Sequence, residues 1–444
     1  MLRLSFIAFT FSLSTALAQQ GSAVPTTGPA PASITLEQAI ARARANEPNF
    51  AAAVAARGVS ALDHSIARAA LLPNVSYHNQ VLYTQPNGAL NGGGPIGSQS
   101  APRFIANNAV REYASQGVVS ETLGLQQVTA VSRAAAADAV AAAQLEIARR
   151  GLISTVTGLF YQALAADRKV AVARRAAGEA ASFTNLAQQR ESAREGAHAD
   201  VVKGQLQQQQ RDRDLADALL QAQKSHLDLA VLLFPDPRTA YTLAPGPIAP
   251  LPDRADVDEA AMRLNPELHQ ALAGLRVSTL DVKAARAAYF PDLGLNFTYG
   301  IDAVQFAVNG REGVRNLGYS AGATLDIPIW DWLSTQHRVR QSEILREAAH
   351  TALTATQRRL IAQLDEFYAE ASTARDQLQS LDQSVQTAGE SLRLTRLRYT
   401  AGESTVLEVV DAQNSLTAAE IAREDGSIRY QMALTNLQLL TGAI

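Results

Sequence analysis

Two acidic residues near the start of the last predicted helix are spaced so that their carboxylates could form one charged site. Glu408 and Asp411 stand three positions apart, so on a helix they share a face and repel each other. Glu408 also follows Thr405 in the pattern Thr-x-x-Glu, which caps helix N-termini, and acidic residues suit a first helical turn. Glu408 therefore has two interpretations, an electrostatic site and a helix cap, whereas capping explains Asp411 less well.

The other reactive residue types do not form a catalytic or metal-binding pattern. The seven histidines are dispersed, with no pair four residues apart and no carboxylate spacing typical of zinc. The chain has no cysteine, so disulfides and thiol chemistry are excluded. The glycine-rich segment 91–95 lacks the strand and helix that flank a phosphate loop, and we interpret it as an exposed loop. We expect no enzyme activity, no metal and no cofactor.

Charge and the N-terminus narrow the class of protein further. The net charge is −3, and no cluster of basic residues with interleaved aromatic residues is present, so we expect no nucleic-acid partner. Arg3, the apolar run 4–13 and Ala16-Leu17-Ala18 predict a signal peptide over 1–18. No other segment is long and apolar enough to cross a bilayer as a helix. Any membrane anchorage must therefore come from strands or from partners.

A long helical seam precedes the two carboxylates. Apolar or small residues recur from Leu360 to Tyr399 at alternating spacings of four and three, which is the coiled-coil period. A second helix follows Gly402 and carries apolar residues on two faces, as expected of a helix that packs between neighbours. At about 1.5 Å per residue, the seam from 332 to 399 would be about 100 Å long. No compact globular domain has room for it.

Two alternating patterns predict strands with one apolar face. Leu293, Leu295, Phe297, Tyr299 and Ile301 alternate with polar residues and glycines, in the length and pattern of a membrane β-strand. A return strand over 319–327 alternates in the same way, whereas near 113–123 the register is ambiguous. A soluble amphipathic sheet is the alternative interpretation. Trp330 and Trp332 suit either an interfacial aromatic belt or packing at the joint between sheet and helices.

The chain contains one unit twice. Pro266 and Pro291 stand 218 positions after Pro48 and Pro73 in matching contexts, and Glu408-Val409-Val410 stands 208 positions after Asp200-Val201-Val202. Each unit is predicted to begin with a short capped helix, at Thr35 and at Asp256. The predicted segments are a signal peptide 1–18, a flexible linker 19–33, a first repeat 34–234, a Pro-rich connector 235–252 and a second repeat 253–441. Their hairpins are expected at about 73–123 and 291–328, and their long helices at about 125–232 and 332–440.

These motifs in this order resemble the TolC-like outer-membrane efflux protein family, over roughly 34–441. The resemblance rests on the duplication, on Asn265-Pro266-Glu267-Leu268 and Leu72-Pro73-Asn74, and on Arg398-Tyr399-x-x-Gly402 leading into 407–413. It implies a mainly α fold with a membrane β-barrel, in which three chains share twelve strands above a periplasmic helical tunnel. It further implies an outer-membrane exit duct for efflux or secretion that docks to a periplasmic adaptor and an inner-membrane pump.

The same resemblance implies which residues form the periplasmic entrance. The pore constriction would be formed by Asp411, Glu408 and Asp200, and the helix-turn tips would include Tyr399, Gly402 and Gly196. Lys203 stands where Asp411 stands in the second repeat, and would neutralise part of this charge.

The family's closing arginine has no counterpart at its position, which is Ser404 here, and Arg194 stands where the second repeat has Gly402. A periplasmic coiled-coil scaffold or adhesin, with soluble hairpins and no channel, is the alternative function.

Overall fold

The computed structural model describes residues 32–83, 111–247, 249–303, 305–310, 313 and 315–442. The predicted signal peptide, the linker up to residue 31 and the glycine-rich loop 91–95 lie outside these residues. Within the described residues the same series of elements occurs twice. The first series is β1 (Ala32–Ile34), α1 (Leu36–Asn46), α2 (Pro48–Ala69), β2 (Asn74–Tyr83), β3 (Arg111–Leu123), α3 (Leu125–Ser192) and α4 (His198–Leu233). The second is β4 (Tyr241–Leu243), α5 (Arg254–Leu264), α6 (Pro266–Ala287), β5 (Asp292–Ala303), β6 (Leu317–Asp326), α7 (Ser334–Thr400) and α8 (Val406–Thr441).

The helix boundaries follow local capping chemistry, with one correction. The side chain of Thr35 forms the predicted capping box with Gln38, and Asn265 accepts the N–H of Leu268 at 2.9 Å one residue before a proline that opens α6. The prediction that Asp256 caps α5 is wrong. The cap is Asp253, whose carboxylate accepts the N–H of Arg254 at 2.9 Å. Acidic residues stand at both 253 and 256, and Asp256 belongs to the first helical turn.

The longest helices, α3 and α7, have 68 and 67 residues, which corresponds to about 100 Å each. One half of α3 packs against α2 and α6, and the other half packs against α4 and α8. Apolar clusters hold these contacts at the level of Phe160 and Leu233, at the level of Leu360 and Leu437, and near the helix tips around Phe183. Among the described helices, none combines the length and the apolar composition that a bilayer crossing requires.

The strands form one antiparallel sheet in the order β2-β3-β5-β6. Val119 pairs with both Val75 and Phe297, which settles the register near 113–123. Because paired residues share a face, one side of the sheet is mainly apolar and the other mainly polar. The apolar side carries Val75, Tyr77, Val81, Val119, Leu293, Leu295, Phe297, Tyr299, Ile301, Tyr319 and Leu325. The polar side carries Ser76, His78, Gln80, Gln116, Ser120, Asp292, Asn296, Thr298, Ser320 and Thr324.

Candidate functional site

The two helical hairpins end in turns of the same type. In the first hairpin Arg194 has a φ of 63°, and in the second Gly402 has a φ of 80°. Both angles are left-handed, and the two residues stand 208 positions apart, at equivalent places in the repeats. Glycine adopts this conformation without strain, whereas an arginine adopts it only at a cost in backbone strain. Gly196, predicted as a tip residue, lies two residues later and donates its N–H to the carbonyl of Arg190 at 3.2 Å.

Two arginines at equivalent positions each form a hydrogen bond within their own turn, but their other contacts differ. Arg190 and Arg398 each donate Nη2 to a carbonyl five residues onward, that of Glu195 at 3.4 Å and that of Glu403 at 3.2 Å. Arg398 also approaches the Glu408 carboxylate within its own hairpin, at 3.7 Å. Arg190 instead reaches across to the other hairpin, where it meets Tyr399.

Tyr399 is the residue on which the two hairpin tips meet. Arg190 donates Nη1 to the Tyr399 carbonyl oxygen, and its guanidinium lies 4.9 Å from the centroid of the Tyr399 ring. The ring is 3% exposed and packs against Phe183 with centroids 5.1 Å apart. Burial raises the pKa of the Tyr399 hydroxyl, the negative charge of Asp200 raises it further, and Arg190 opposes the shift. The sequence has Ser404 at the family's arginine position after Gly402, and it gave no signal for Arg190, which lies on the other hairpin.

Glu408 is part of the predicted cap of α8, in which Thr405 is the N-cap residue. Its backbone N–H donates to the Thr405 hydroxyl at 3.4 Å, and its carboxylate accepts hydrogen bonds from Ser404 at 2.8 Å and Thr405 at 3.3 Å. The Ser404 hydrogen bond lowers the pKa of Glu408, with smaller contributions from Thr405 and Arg398. The carboxylate is therefore charged and held at the helix N-terminus.

Asp411 and Asp200 have different surroundings. Asp411 is exposed and forms no ion pair or side-chain hydrogen bond with the described residues, and the same holds for Lys203. Asp200 is partly buried in the first turn of α4 and lies close enough to Tyr399 to affect its titration. The structure thus brings Asp200, Arg190 and Tyr399 together and leaves the Asp411 carboxylate directed to solvent.

Neighbouring residues fix this arrangement by packing. Val409, Val410 and Ala412 are buried against the long helices, which orients the α8 face that carries Asp411 outward. In the part of the chain that the structure describes, no three His, Cys, Asp or Glu side chains lie together as a metal site would require. The tip is therefore an exposed charged surface on a packed helical support.

Comparison with known proteins finds similarity to outer membrane efflux proteins. The family model described as outer membrane efflux protein matches residues 259–443. The outer membrane protein OprJ of Pseudomonas aeruginosa is 28% identical over 201 residues, which are 45% of this chain and 40% of OprJ. The pyoverdine export outer membrane protein OpmQ of the same species is 28% identical over 304 residues, 66% of this chain and 60% of OpmQ. The chain thus spans less than two thirds of the length of either relative.

A solved structure shares the fold over nearly the whole chain. The outer membrane channel CmeC of Campylobacter jejuni superposes with a TM-score of 0.77 at 15% identity, covering 97% of this chain and 94% of CmeC. At that identity the match shows the fold alone. Together with the sequence matches and the duplicated helix and hairpin series, it confirms the resemblance to the TolC-like outer membrane efflux proteins and the outer-membrane location that this resemblance implies.

Proposed function

We propose that the protein is a trimeric outer-membrane exit duct for efflux or secretion, which docks to a periplasmic adaptor and an inner-membrane pump. The observation that carries this proposal is the four-stranded sheet, whose order leaves one edge of β2 and one edge of β6 without a partner in the described chain. Unpaired strand edges are not stable in lipid, because no water is present to hydrogen-bond the backbone. Four strands are also too few to close a barrel.

Joining β6 of one copy to β2 of the next satisfies both edges. Three copies then form a twelve-stranded barrel, with the apolar side of the sheet facing lipid and the polar side lining the interior. The helices offer complementary contacts, since α4 exposes a stripe of apolar residues that has no partner within the described protomer: Val202, Leu206, Leu220, Leu227 and Val231. These helices would form the wall of a tunnel in the periplasm.

The tip residues would form a negative constriction at the periplasmic entrance of this tunnel. Asp411 is its main candidate, because the carboxylate is exposed and has no compensating partner among the described residues. Glu408 would contribute less, because Arg398 and the cap hydrogen bonds already engage its charge. Asp200 would contribute from beneath, beside Tyr399. A ring of carboxylates attracts cations and repels anions.

The names of the relatives support export as the direction of transport, since OpmQ is described as exporting pyoverdine. The duct would act passively, without catalysis, and the energy would come from the pump.

Conductance across planar bilayers containing the purified protein tests the proposal. Stepwise openings are expected when the protein is extracted from outer membranes in detergent. A mature protein that is freely soluble without detergent and opens no conductance would instead fit the periplasmic scaffold or adhesin alternative.

A further inference from the structure

A cavity of about 490 Å³ lies between α3, α4 and α8, about midway along the long helices. Small side chains of α3 form its floor, and α4 and α8 form opposite walls. Gln207 and Arg211 of α4 both donate to the side-chain oxygen of Asn414 of α8, the first at 2.9 Å, at the end of the cavity nearer the helix tips. The apolar lining consists of Ala165, Ala166, Ala173, Ala176, Ala218, Ile421 and Ile428.

In the second repeat a leucine fills the equivalent space. Ala173 of α3 and Ala218 of α4 stand 208 positions before Leu381 of α7 and Gly426 of α8. The Leu381 side chain lies so close to Gly426 that it leaves no room for a Cβ at that residue. The first repeat has alanine at both positions, and two methyl groups do not fill this volume. The cavity therefore results from particular side chains of the first repeat and not from helix geometry that both repeats share.

The charged side chains around the cavity leave one carboxylate unpaired. Lys169 pairs with Asp425 at 2.5 Å, and Arg211 pairs with Asp214 at 3.1 Å. Asp217 also lines the cavity, one turn after Asp214 on α4, and forms no ion pair or side-chain hydrogen bond with the described residues. Like charges three positions apart on a helix repel each other. A positive charge placed in the cavity would relieve this repulsion.

We propose that the cavity binds a small lipophilic organic cation, with its apolar body on the alanine floor and its positive charge beside Asp217. Ligand sites are typically cavities of about 300–1,000 Å³ that are lined mainly by apolar groups and contain a few polar ones. Both cationic side chains at this site already have carboxylate partners, so the charge left over favours a positive ligand. The site lies within one protomer, and the inference therefore goes beyond the proposed function and does not require it.

An occupant of the cavity would contact both helical hairpins, because α4 belongs to the first and α8 to the second. It would therefore add a contact between the hairpins in the region above their tips. A ligand that binds only the folded protein also stabilises it by mass action. We expect the thermal midpoint of unfolding to rise with the concentration of the cation.

Calorimetric titration of the purified protein in a non-ionic detergent tests the inference. The probe is tetraphenylphosphonium, whose positive charge does not depend on pH. Tetraphenylborate has nearly the same shape and the opposite charge, and titrations into detergent alone correct for uptake by micelles. We expect saturable binding of the phosphonium by the protein, no saturable binding of the borate, and a rise in thermal midpoint with the phosphonium alone.

Two substitutions change the site in different ways. Ala173→Leu introduces the residue type that fills the second repeat and should abolish binding, whereas Ala171→Leu, at an exposed position of the same helix, should leave it unchanged. Asp217→Asn should weaken binding about fivefold, because it removes one partly exposed charge pair. Asp212→Asn, at an exposed position of α4 outside the cavity, is its control.

Phosphonium uptake no greater than that of detergent alone would overturn the inference, and so would saturable binding of both ions with equal affinity. Affinities of Ala173→Leu and Asp217→Asn equal to that of the parent would place the bound cation outside this cavity. Asp217→Asn keeps the test decisive if Ala173→Leu does not fold. Conductance of the same preparation separates the two proposals. A protein that conducts but does not bind the cation contradicts the site alone, and one that binds but does not conduct contradicts only the duct.

Discussion

The guanidinium of Arg190 lies over the ring of Tyr399, 4.9 Å from its centroid, and donates a hydrogen bond to the carbonyl oxygen of the same residue. The two residues belong to different hairpins and stand 209 positions apart. Their contact therefore ties the α3–α4 tip to the α7–α8 tip within one protomer. In the proposed duct, an entrance that widened by separating the two tips would have to break this contact.

Replacing Arg190 with methionine should loosen the entrance. The change keeps an apolar stem over Tyr399 but removes the charge and the donor, with a loss of about 1 to 3 kcal/mol for a charge-assisted hydrogen bond. We expect larger or more frequent openings in planar bilayers. Arg398→Met is the matched control, because Arg398 braces the equivalent turn without touching Tyr399. Equal conductance of Arg190→Met and the parent would show that the tips are not held by this contact.

Asp411→Asn should reduce the cation preference of the channel. The substitution keeps size and shape while removing three exposed carboxylates from the proposed trimer, so assembly should be unaffected. Block by multivalent cations from the periplasmic side should weaken in the same recordings. Glu408→Gln should instead weaken the helix cap slightly and change selectivity less. Unchanged selectivity and block in Asp411→Asn would leave Asp411 as a solvated helix charge.

Overpacking the seam should destabilise the helical body. Ala371 is fully buried against α8, so Ala371→Phe should cost about 1 to 3 kcal/mol. Ala369→Phe, two positions away on an exposed face of the same helix, serves as the control. Thermal unfolding of the purified protein compares the two. Identical midpoints for both variants would mean that the seam is not packed at this position.

The sequence pattern predicts more of the architecture than of the contacts at the helix tips. Strict alternation around Phe297 predicts the second hairpin. In β3, Ser115, Gly117 and Glu121 stand on the face that joins the apolar side of the sheet, and they hide the register of the first. Local spacing predicts the cap at Thr405 because cap and helix are neighbours in sequence. The contact between Arg190 and Tyr399 depends on how two hairpins pack. Aligning the repeats shows which residues are equivalent but does not show which residues touch.

Protonation of Glu146 should reduce the stability of the folded protein at acidic pH. Hydrogen bonds from Arg149, and with smaller effect from Arg150, lower the pKa of this carboxyl to about 2 from an ordinary value of 4.5. A lowered pKa in the folded state contributes stability above pH 4.5, and that stability is lost as the pH falls from 4.5 towards 2. The contribution is on the order of 1 kcal/mol, because solvent partly screens the pair.

The variant Glu146→Gln isolates this contribution. It should lower the thermal midpoint near neutral pH and have little effect once the pH is below the window. Arg150 also donates to the carbonyl oxygens of Leu264 at 2.9 Å and Leu439 at 2.5 Å, and the variant leaves the donors and acceptors of these bonds in place. A difference between parent and variant that stays constant with pH would contradict the assignment.

Disulfide cross-linking between the two sheet edges tests most directly whether copies of this chain close a shared barrel. The chain has no cysteine, and β2 and β6 lie three strand spacings apart in one protomer, about 14 Å, which is too far for a disulfide. Ser76→Cys would be combined in turn with a cysteine at Ser320, Gly322 or Thr324, which samples the stagger of the barrel. The account predicts that one pair yields a covalent trimer on a non-reducing gel, while each single-cysteine variant does not. Monomers from every pair, in protein that is correctly inserted in the outer membrane, would contradict it.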